Sequence, residues 1–198
     1  MIKQYSERKT EDRKIALINT LSYSSVIDLG CGNGGYLPYM QRRVRYVVGL
    51  DVDRNLAKIS KRRGVDIVLA SVNYLPFKEK SFDCVWASEV IEHFPTIEVL
   101  DEIERIASKK IILTLPNPVF PDFKRDPTHV LQYSVTSLKG VLGKKLIWSY
   151  KVRGLGVNYM IPTKLIKNFT LWATWFVPWI SPTILAVGVK RIVNGENY

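Results

Sequence analysis

Residues 25–35 read Ser-Val-Ile-Asp-Leu-Gly-Cys-Gly-Asn-Gly-Gly. An apolar run of Val26, Ile27 and Leu29 meets a carboxylate at Asp28, then four glycines within six positions. Such a run, ended abruptly by glycine, predicts a buried parallel strand that turns sharply into a helix. Glycine has no Cβ, so the backbone there can lie close against a ligand. A helix starting near Tyr36 would aim its first N–H groups at the same loop. The stretch therefore reads as the floor of a pocket for a nucleotide-like molecule. Two spacings overlap in it: Gly30, Gly32 and Gly35 fit Gly-x-Gly-x-x-Gly, whereas Asp28, Gly30, Gly32 and Gly34 fit Asp-x-Gly-x-Gly-x-Gly. A tight strand–helix turn with no ligand would also use glycines, so the choice rests on the remaining chain.

The bulk composition bounds the answer. With 198 residues, 46% of them hydrophobic and 24% charged, the chain is expected to be one globular domain, 1–198, with a full core. The formal charge of +11 is unusual and would suit RNA, anionic lipid or a phosphorylated substrate, or be no more than a basic surface. Basic residues cluster at Arg42–Arg45, Lys61–Arg63 and Lys144–Lys145, without an aromatic-rich RNA module beside them. Cys31 and Cys84 are the only cysteines. Placed at opposite ends of neighbouring strands, offset by roughly four residues, they are too far apart to bridge and are expected to be free thiols in a reducing compartment. The opening Met1-Ile-Lys-Gln4 lacks an apolar signal region, so a cytoplasmic location is expected.

Along the chain, strands and helices alternate. Residues 1–22 are expected to hold a leading helix that covers the pocket edge, with Ile15, Ala16, Ile18 and Leu21 on its apolar side. A strand at 25–29 and a short helix near 36–42 follow. A second strand at 46–50 ends in Asp51-Val52-Asp53, and a helix over 54–63 has Asp53 as its cap and Gly64 at its end. Further strands are expected at 66–70, 82–88 and 111–115. A helix over 96–107 would use Lys109 and Lys110 at its carboxyl end. Five strand–helix alternations require a parallel sheet with right-handed crossovers. A helix at 134–142 and strands at 145–152 and 183–191 complete the pattern. The loop 116–133 carries four prolines and three aromatics, a length that in a compact domain marks function or disorder. Residues 169–189 carry no charge but include Trp172, Trp175 and Trp179. By length they could cross a bilayer, yet Pro178, Ser181, Pro182, Thr183 and Gly188 break the run. It reads as core and lid, with contact at a membrane surface through the tryptophans left open.

The chemistry gathers at the carboxyl ends of the strands, where open parallel sheets bind ligands. Asp51 ends the second strand and could take two ribose hydroxyls, or merely cap a turn. A loop with Leu75-Pro76-Phe77 precedes Phe82-Asp83-Cys84-Val85-Trp86-Ala87-Ser88-Glu89-Val90-Ile91-Glu92-His93. Together with Asp-x-Gly-x-Gly-x-Gly, these stretches resemble the "type 11" group of class I S-adenosylmethionine (AdoMet) methyltransferases over about residues 25–120. The resemblance implies a Rossmann-like α/β fold: seven strands, mostly parallel, the last antiparallel, with helices on both faces. It also implies that Asp28, Gly30, Gly32 and Gly34 line the methionine end of AdoMet, and that Asp51 takes the ribose beside Val52 at the adenine. Ser71 and Val72 would read the adenine amino group, with Ser71 standing where the group usually has Asp. Ser88 and Glu89 would lie beside the sulfonium, although Glu89 could equally be a helix-start carboxylate.

Methyl transfer to an activated carbon mainly needs alignment; an oxygen nucleophile also needs a base. The only histidines, His93 and His129, follow the fourth and fifth strands and are the candidate bases, each with a purely structural alternative. Asp126 is a possible orienting partner for His129. At 36 residues apart and without ligand-type spacing to Cys or carboxylates, they are not expected to bind a metal. The expected activity is AdoMet-dependent methyl transfer to a small-molecule, glycan or lipid-linked acceptor, with the loop 116–133 and a lid at 158–180 forming its pocket. RNA or protein acceptors, suggested by the charge, and a non-catalytic AdoMet-binding role are the alternatives. A dehydrogenase would need a second nucleotide-binding half, which residues 116–198 do not offer.

Overall fold

The computed structural model describes residues 11, 12, 14–119, 123, 126–144, 147–155 and 183–190. Helix α1 covers 14–18. Then come β1 (Ser25–Leu29), α2 (Leu37–Gln41), β2 (Tyr46–Asp51), α3 (Arg54–Lys61), β3 (Asp66–Leu69) and β4 (Phe82–Ser88). After a 3-10 turn (Ile91–His93) follow α4 (Val99–Ile106), β5 (Ala107–Pro116), α5 (Val135–Leu142), β6 (Trp148–Leu155) and β7 (Thr183–Lys190). The seven strands form one sheet in the order β3-β2-β1-β4-β5-β7-β6. All pairings from β3 through β5 are parallel, and β7 runs antiparallel to β5 and β6. This is the seven-stranded, Rossmann-like arrangement expected from the sequence.

The sheet is covered on both faces, and β4 shows why. Val85 and Ala87 enter one apolar layer with Leu100, Ile103 and Leu138 from α4 and α5. Cys84 and Trp86 enter the other, with Ile18 from α1 and Leu37 and Met40 from α2. A strand buried on both faces carries apolar residues at successive positions rather than every second one. At about 25 cal/mol per Å² of buried apolar area, these two layers are the main driving force for the fold.

Local signals end the elements. The Asp53 carboxylate accepts from the N–H groups of Asn55 (2.7 Å) and Leu56 (3.2 Å), capping α3. Ser134 and Ser137 form a capping box at α5. The loop carrying Leu75-Pro76-Phe77 is fastened by α4: Arg105 donates to the carbonyls of Phe77 (2.7 Å) and Leu75 (3.0 Å) and pairs with Glu102. Glu102 in turn accepts the Leu75 N–H at 2.9 Å.

Two expectations are corrected. Helix α4 begins at Val99, not residue 96, and β5 begins at Ala107, not residue 111. Lys109 and Lys110 therefore lie in a strand and do not neutralise a helix end. Lys109 instead pairs with Asp83 at 3.0 Å, and Lys110 opposes Cys84 in the ladder. Of the leading segment 1–22, the described helical residues are 11, 12 and 14–18, and Ala16 is exposed. Cys31 and Cys84 are both buried free thiols, as expected. The expected lid 158–180, with its three tryptophans, lies outside the described residues, as do parts of the loop 116–133. No helix among the described residues is long and apolar enough to cross a membrane.

Candidate active site

A cavity of about 410 Å³ opens at the carboxyl end of β1, within the range of small-molecule sites. Asp28, Gly30, Gly32 and Ser88 line it, together with Glu11 and Tyr36. Asp28 is 1% exposed and its Oδ2 has no hydrogen-bond partner among the described residues. Burial pushes its pKa up to about 8; the Asp51 charge adds to the rise and Lys14 opposes it. A buried carboxylate with an unmet acceptor, facing a cavity, fits a cationic ligand group. The glycines divide the labour. At Gly32 (φ +55°) an added Cβ would meet nothing within 4 Å, so its surroundings are open. At Gly34 (φ +74°) the same atom would lie 2.6 Å from Ser60 Oγ. Gly34 thus lets the loop pack on α3, and Gly35 takes the place at the cavity wall expected for Gly34.

Asp51 is 8% exposed and holds the loop shut. Its Oδ2 accepts the Gly32 N–H at 2.7 Å and its Oδ1 the Asp53 N–H at 2.8 Å. Each oxygen retains a second lone pair for a hydroxyl. Val52, next along, is 74% exposed and offers an apolar surface to a ring. Ser71 and Val72 follow β3; Val72 is buried, and the Ser71 Oγ accepts the Asn73 N–H at 3.3 Å. Neither lines the cavity beneath Asp28.

On the other side of Ser88 lies a polar line that the sequence did not disclose. Ser88 Oγ and Thr114 Oγ1 are 2.8 Å apart, and Thr114 donates to Glu89 Oε1 at 3.0 Å. The buried Lys14 of α1 donates to the same oxygen at 3.0 Å. Glu89 adopts φ +55°, a left-handed conformation that costs a non-glycine residue about 1–2 kcal/mol. It is held there by its N–H bond to the Thr114 carbonyl, at 2.8 Å.

Beyond Glu89, the structure brings both histidines together, with ring centres 5.1 Å apart. The loop after β5 folds back because the Val130 and Leu131 N–H groups both donate to the Glu92 carbonyl. His129 Nδ1 lies 3.0 Å from the Phe123 carbonyl, and His129 Nε2 lies 3.7 Å from Asp126 Oδ2. Asp126 is thus beside His129, at ion-pair rather than hydrogen-bond distance. Glu92, which the sequence reading assigned no role, is fully buried with both carboxylate oxygens unpartnered among the described residues. Burial, then the nearby Glu89 charge, pushes its pKa up to about 9. One ligand atom from each of Glu92, His93 and His129 lies within 4.8 Å of the others. The 36 residues that separate the two histidines in sequence thus close up in three dimensions. Burial pushes the Cys31 thiol up to about 12, and the side chain packs in the same apolar layer as Leu37 and Met40.

A seven-stranded sheet with one reversed strand, carrying an acid–glycine crevice at β1 and a second acid at β2, defines the class I AdoMet-dependent methyltransferases. Residues 27–113 match the model of the methyltransferase-domain family, and the chain belongs to it, with AdoMet as the cofactor. An uncharacterized Methanocaldococcus jannaschii protein, MJ0638, is 31% identical over 160 residues, covering 74% of this chain and 67% of that one. The tRNA (carboxymethyluridine(34)-5-O)-methyltransferase ALKBH8 of Mus musculus is 34% identical over 89 residues, 43% of this chain but only 13% of that protein. A SAM-dependent methyltransferase from Archaeoglobus fulgidus superposes with a TM-score of 0.69 at 19% identity, covering 96% of this chain and 95% of its own.

Proposed function

We propose that this methyltransferase modifies an oxygen of a small-molecule, glycan or lipid-linked acceptor, held where Glu89 gives way to His93 and His129. The observation that carries this reading is the hydrogen-bonded line from the cofactor cavity at Ser88 through Thr114 to Glu89, with the paired histidines His93 and His129 following on the same side of the sheet. When bound, AdoMet supplies a methyl group already activated by its sulfonium. The protein's part is alignment. The Asp28 carboxylate attracts the ammonium at one end, and the remaining Asp51 lone pairs take the ribose. Lys14 and Thr114 fix Glu89 between cofactor and acceptor. With Nδ1–H of His129 donated to the Phe123 carbonyl, its Nε2 lone pair is left to accept from an acceptor hydroxyl.

The basic clusters favour a small acceptor over RNA. Arg42, Arg43 and Arg45 follow α2, and Arg62 and Arg63 follow α3. Arg42, Arg43 and Arg45 sit where the chain returns to the amino end of β2, the edge opposite the crevice; Arg63 instead donates to the Asn33 carbonyl of the glycine loop at 2.9 Å, which holds its guanidinium against the protein. The charged side chains that line the cavity are instead acidic, Glu11 and Asp28. The second reading, an RNA acceptor, draws on the +11 charge and the tRNA-modifying relative. Incubation with methyl-labelled AdoMet and fractionated cell extract separates them. The small-molecule or lipid fraction should carry the label. Label confined to RNA, and lost in an Arg42→Ala/Arg43→Ala/Arg45→Ala variant, would overturn the first reading in favour of the second.

A further inference from the structure

The geometry points to a divalent metal site formed by Glu92, His93 and His129, adjoining the acceptor side of the crevice. Three independent features carry it. The first is proximity: one ligand atom per residue within a 4.8 Å span. Ligands bound at about 2.1 Å in a tetrahedral shell are about 3.4 Å apart. The widest pair allowed by that span would have to draw together by about 1.4 Å to complete such a shell.

The second feature is the buried Glu92 carboxylate, neither of whose oxygens meets a donor among the described residues. A carboxylate so placed needs a cation or an unshared proton. Lys14, the nearest buried cation described, is committed to Glu89.

The third is the orientation of the histidines by outer partners. Thr128 Oγ1 donates to Asp126 Oδ1 at 2.5 Å, so it accepts from His93 Nδ1–H at 2.9 Å. His129 Nδ1–H is taken by the Phe123 carbonyl at 3.0 Å. Both rings are thereby fixed in the tautomer that leaves Nε2 as a free lone pair. An imidazole whose second nitrogen is tied to a carbonyl, or to a hydroxyl backed by a carboxylate, is the arrangement that metal-binding histidines use. Two imidazoles and one carboxylate suit Mn²⁺, Co²⁺ or Zn²⁺ better than Mg²⁺, which prefers all-oxygen shells. Three protein ligands leave a position open, as in sites that bind substrate. On the proposed methyltransferase reading, that position takes the acceptor oxygen, in place of a hydrogen bond to His129.

The test uses the whole chain, stripped with a chelator and titrated with Mn²⁺ (free ion followed by paramagnetic resonance) and with Zn²⁺ (against a chromophoric chelator). One ion per chain should bind, with Mg²⁺ weaker. His93→Ala, His129→Ala and Glu92→Gln should each weaken binding about 100-fold or more, and Thr128→Val by about tenfold. AdoMet affinity of the His129→Ala and Thr128→Val proteins, measured by calorimetry, should match the parent, which also shows that they are folded. No saturable binding of either ion, or binding that His93→Ala and His129→Ala leave unchanged, would overturn the site while AdoMet binding upheld the methyltransferase reading. Failure of AdoMet binding in the parent would instead strike that reading, and the metal titration would still decide the site.

Discussion

Cofactor binding should be coupled to ionisation of Asp28. In the empty protein, burial and the neighbouring Asp51 hold this carboxyl near a pKa of about 8, so at pH 6 it is mostly protonated. A cofactor ammonium requires the carboxylate. Ionising it two pH units below its pKa costs about 2.7 kcal/mol, and one unit below about 1.4 kcal/mol. AdoMet affinity should therefore rise roughly tenfold between pH 6 and pH 7, about fivefold more by pH 8, and level off above it, with close to one proton released on binding at pH 6 to 7. Calorimetry in two buffers of different ionisation enthalpy measures both affinity and proton count. Asp28→Asn should abolish the slope and bind weakly throughout, which separates Asp28 from Glu92, a second buried carboxyl that also titrates high. A dissociation constant independent of pH from 6 to 8, with no proton released, would refute the assignment of Asp28 to the ammonium.

Other outcomes follow from the same geometry. Both raised carboxyls hold protons in the fold that the unfolded chain gives up above about pH 4. Stability without cofactor should thus fall as pH rises from about 5 to about 9; urea midpoints that climb over this range would contradict it. Asp51→Ala should weaken AdoMet by roughly 1–3 kcal/mol and also lower the melting temperature, because the Gly32 and Asp53 N–H groups lose their acceptor. Gly34→Ala should destabilise the fold by about 1–3 kcal/mol through positive φ and contact with Ser60. Gly32→Ala should cost less stability and chiefly impair AdoMet binding, as paired melting and binding curves would show. Arg105→Ala should cost about 2 kcal/mol by releasing the Leu75–Phe77 loop, with denaturant titration as the readout.

Much of the architecture was legible because it is written in local pattern. Strand β4 was expected at both its bounds, Phe82 and Ser88: an apolar run between polar ends leaves one reading. Asp53 announced α3 because a capping carboxylate acts on N–H groups two and three positions away. The α4–β5 junction was misplaced because helix passes into strand there without a turn residue, and Lys109 and Lys110 looked like helix-end charges. Asp28 and the glycines were legible through motif, but Gly34's task on α3 needed the position of Ser60. Lys14 against Glu89, and Glu92 beside His93 and His129, depend on contacts spanning 75 and 37 residues, which no local period encodes. Glu92 stood within the quoted motif beside His93, yet only its burial without partners separates it from an ordinary surface acid.

The most direct trial of the account is a crystal structure of the chain with S-adenosylhomocysteine. It should show the amino-acid end against Asp28 and Gly30, the ribose hydroxyls on Asp51, and the sulfur near Ser88 and Glu89. Density for the ligand anywhere else, or ribose hydroxyls turned away from Asp51, would contradict it.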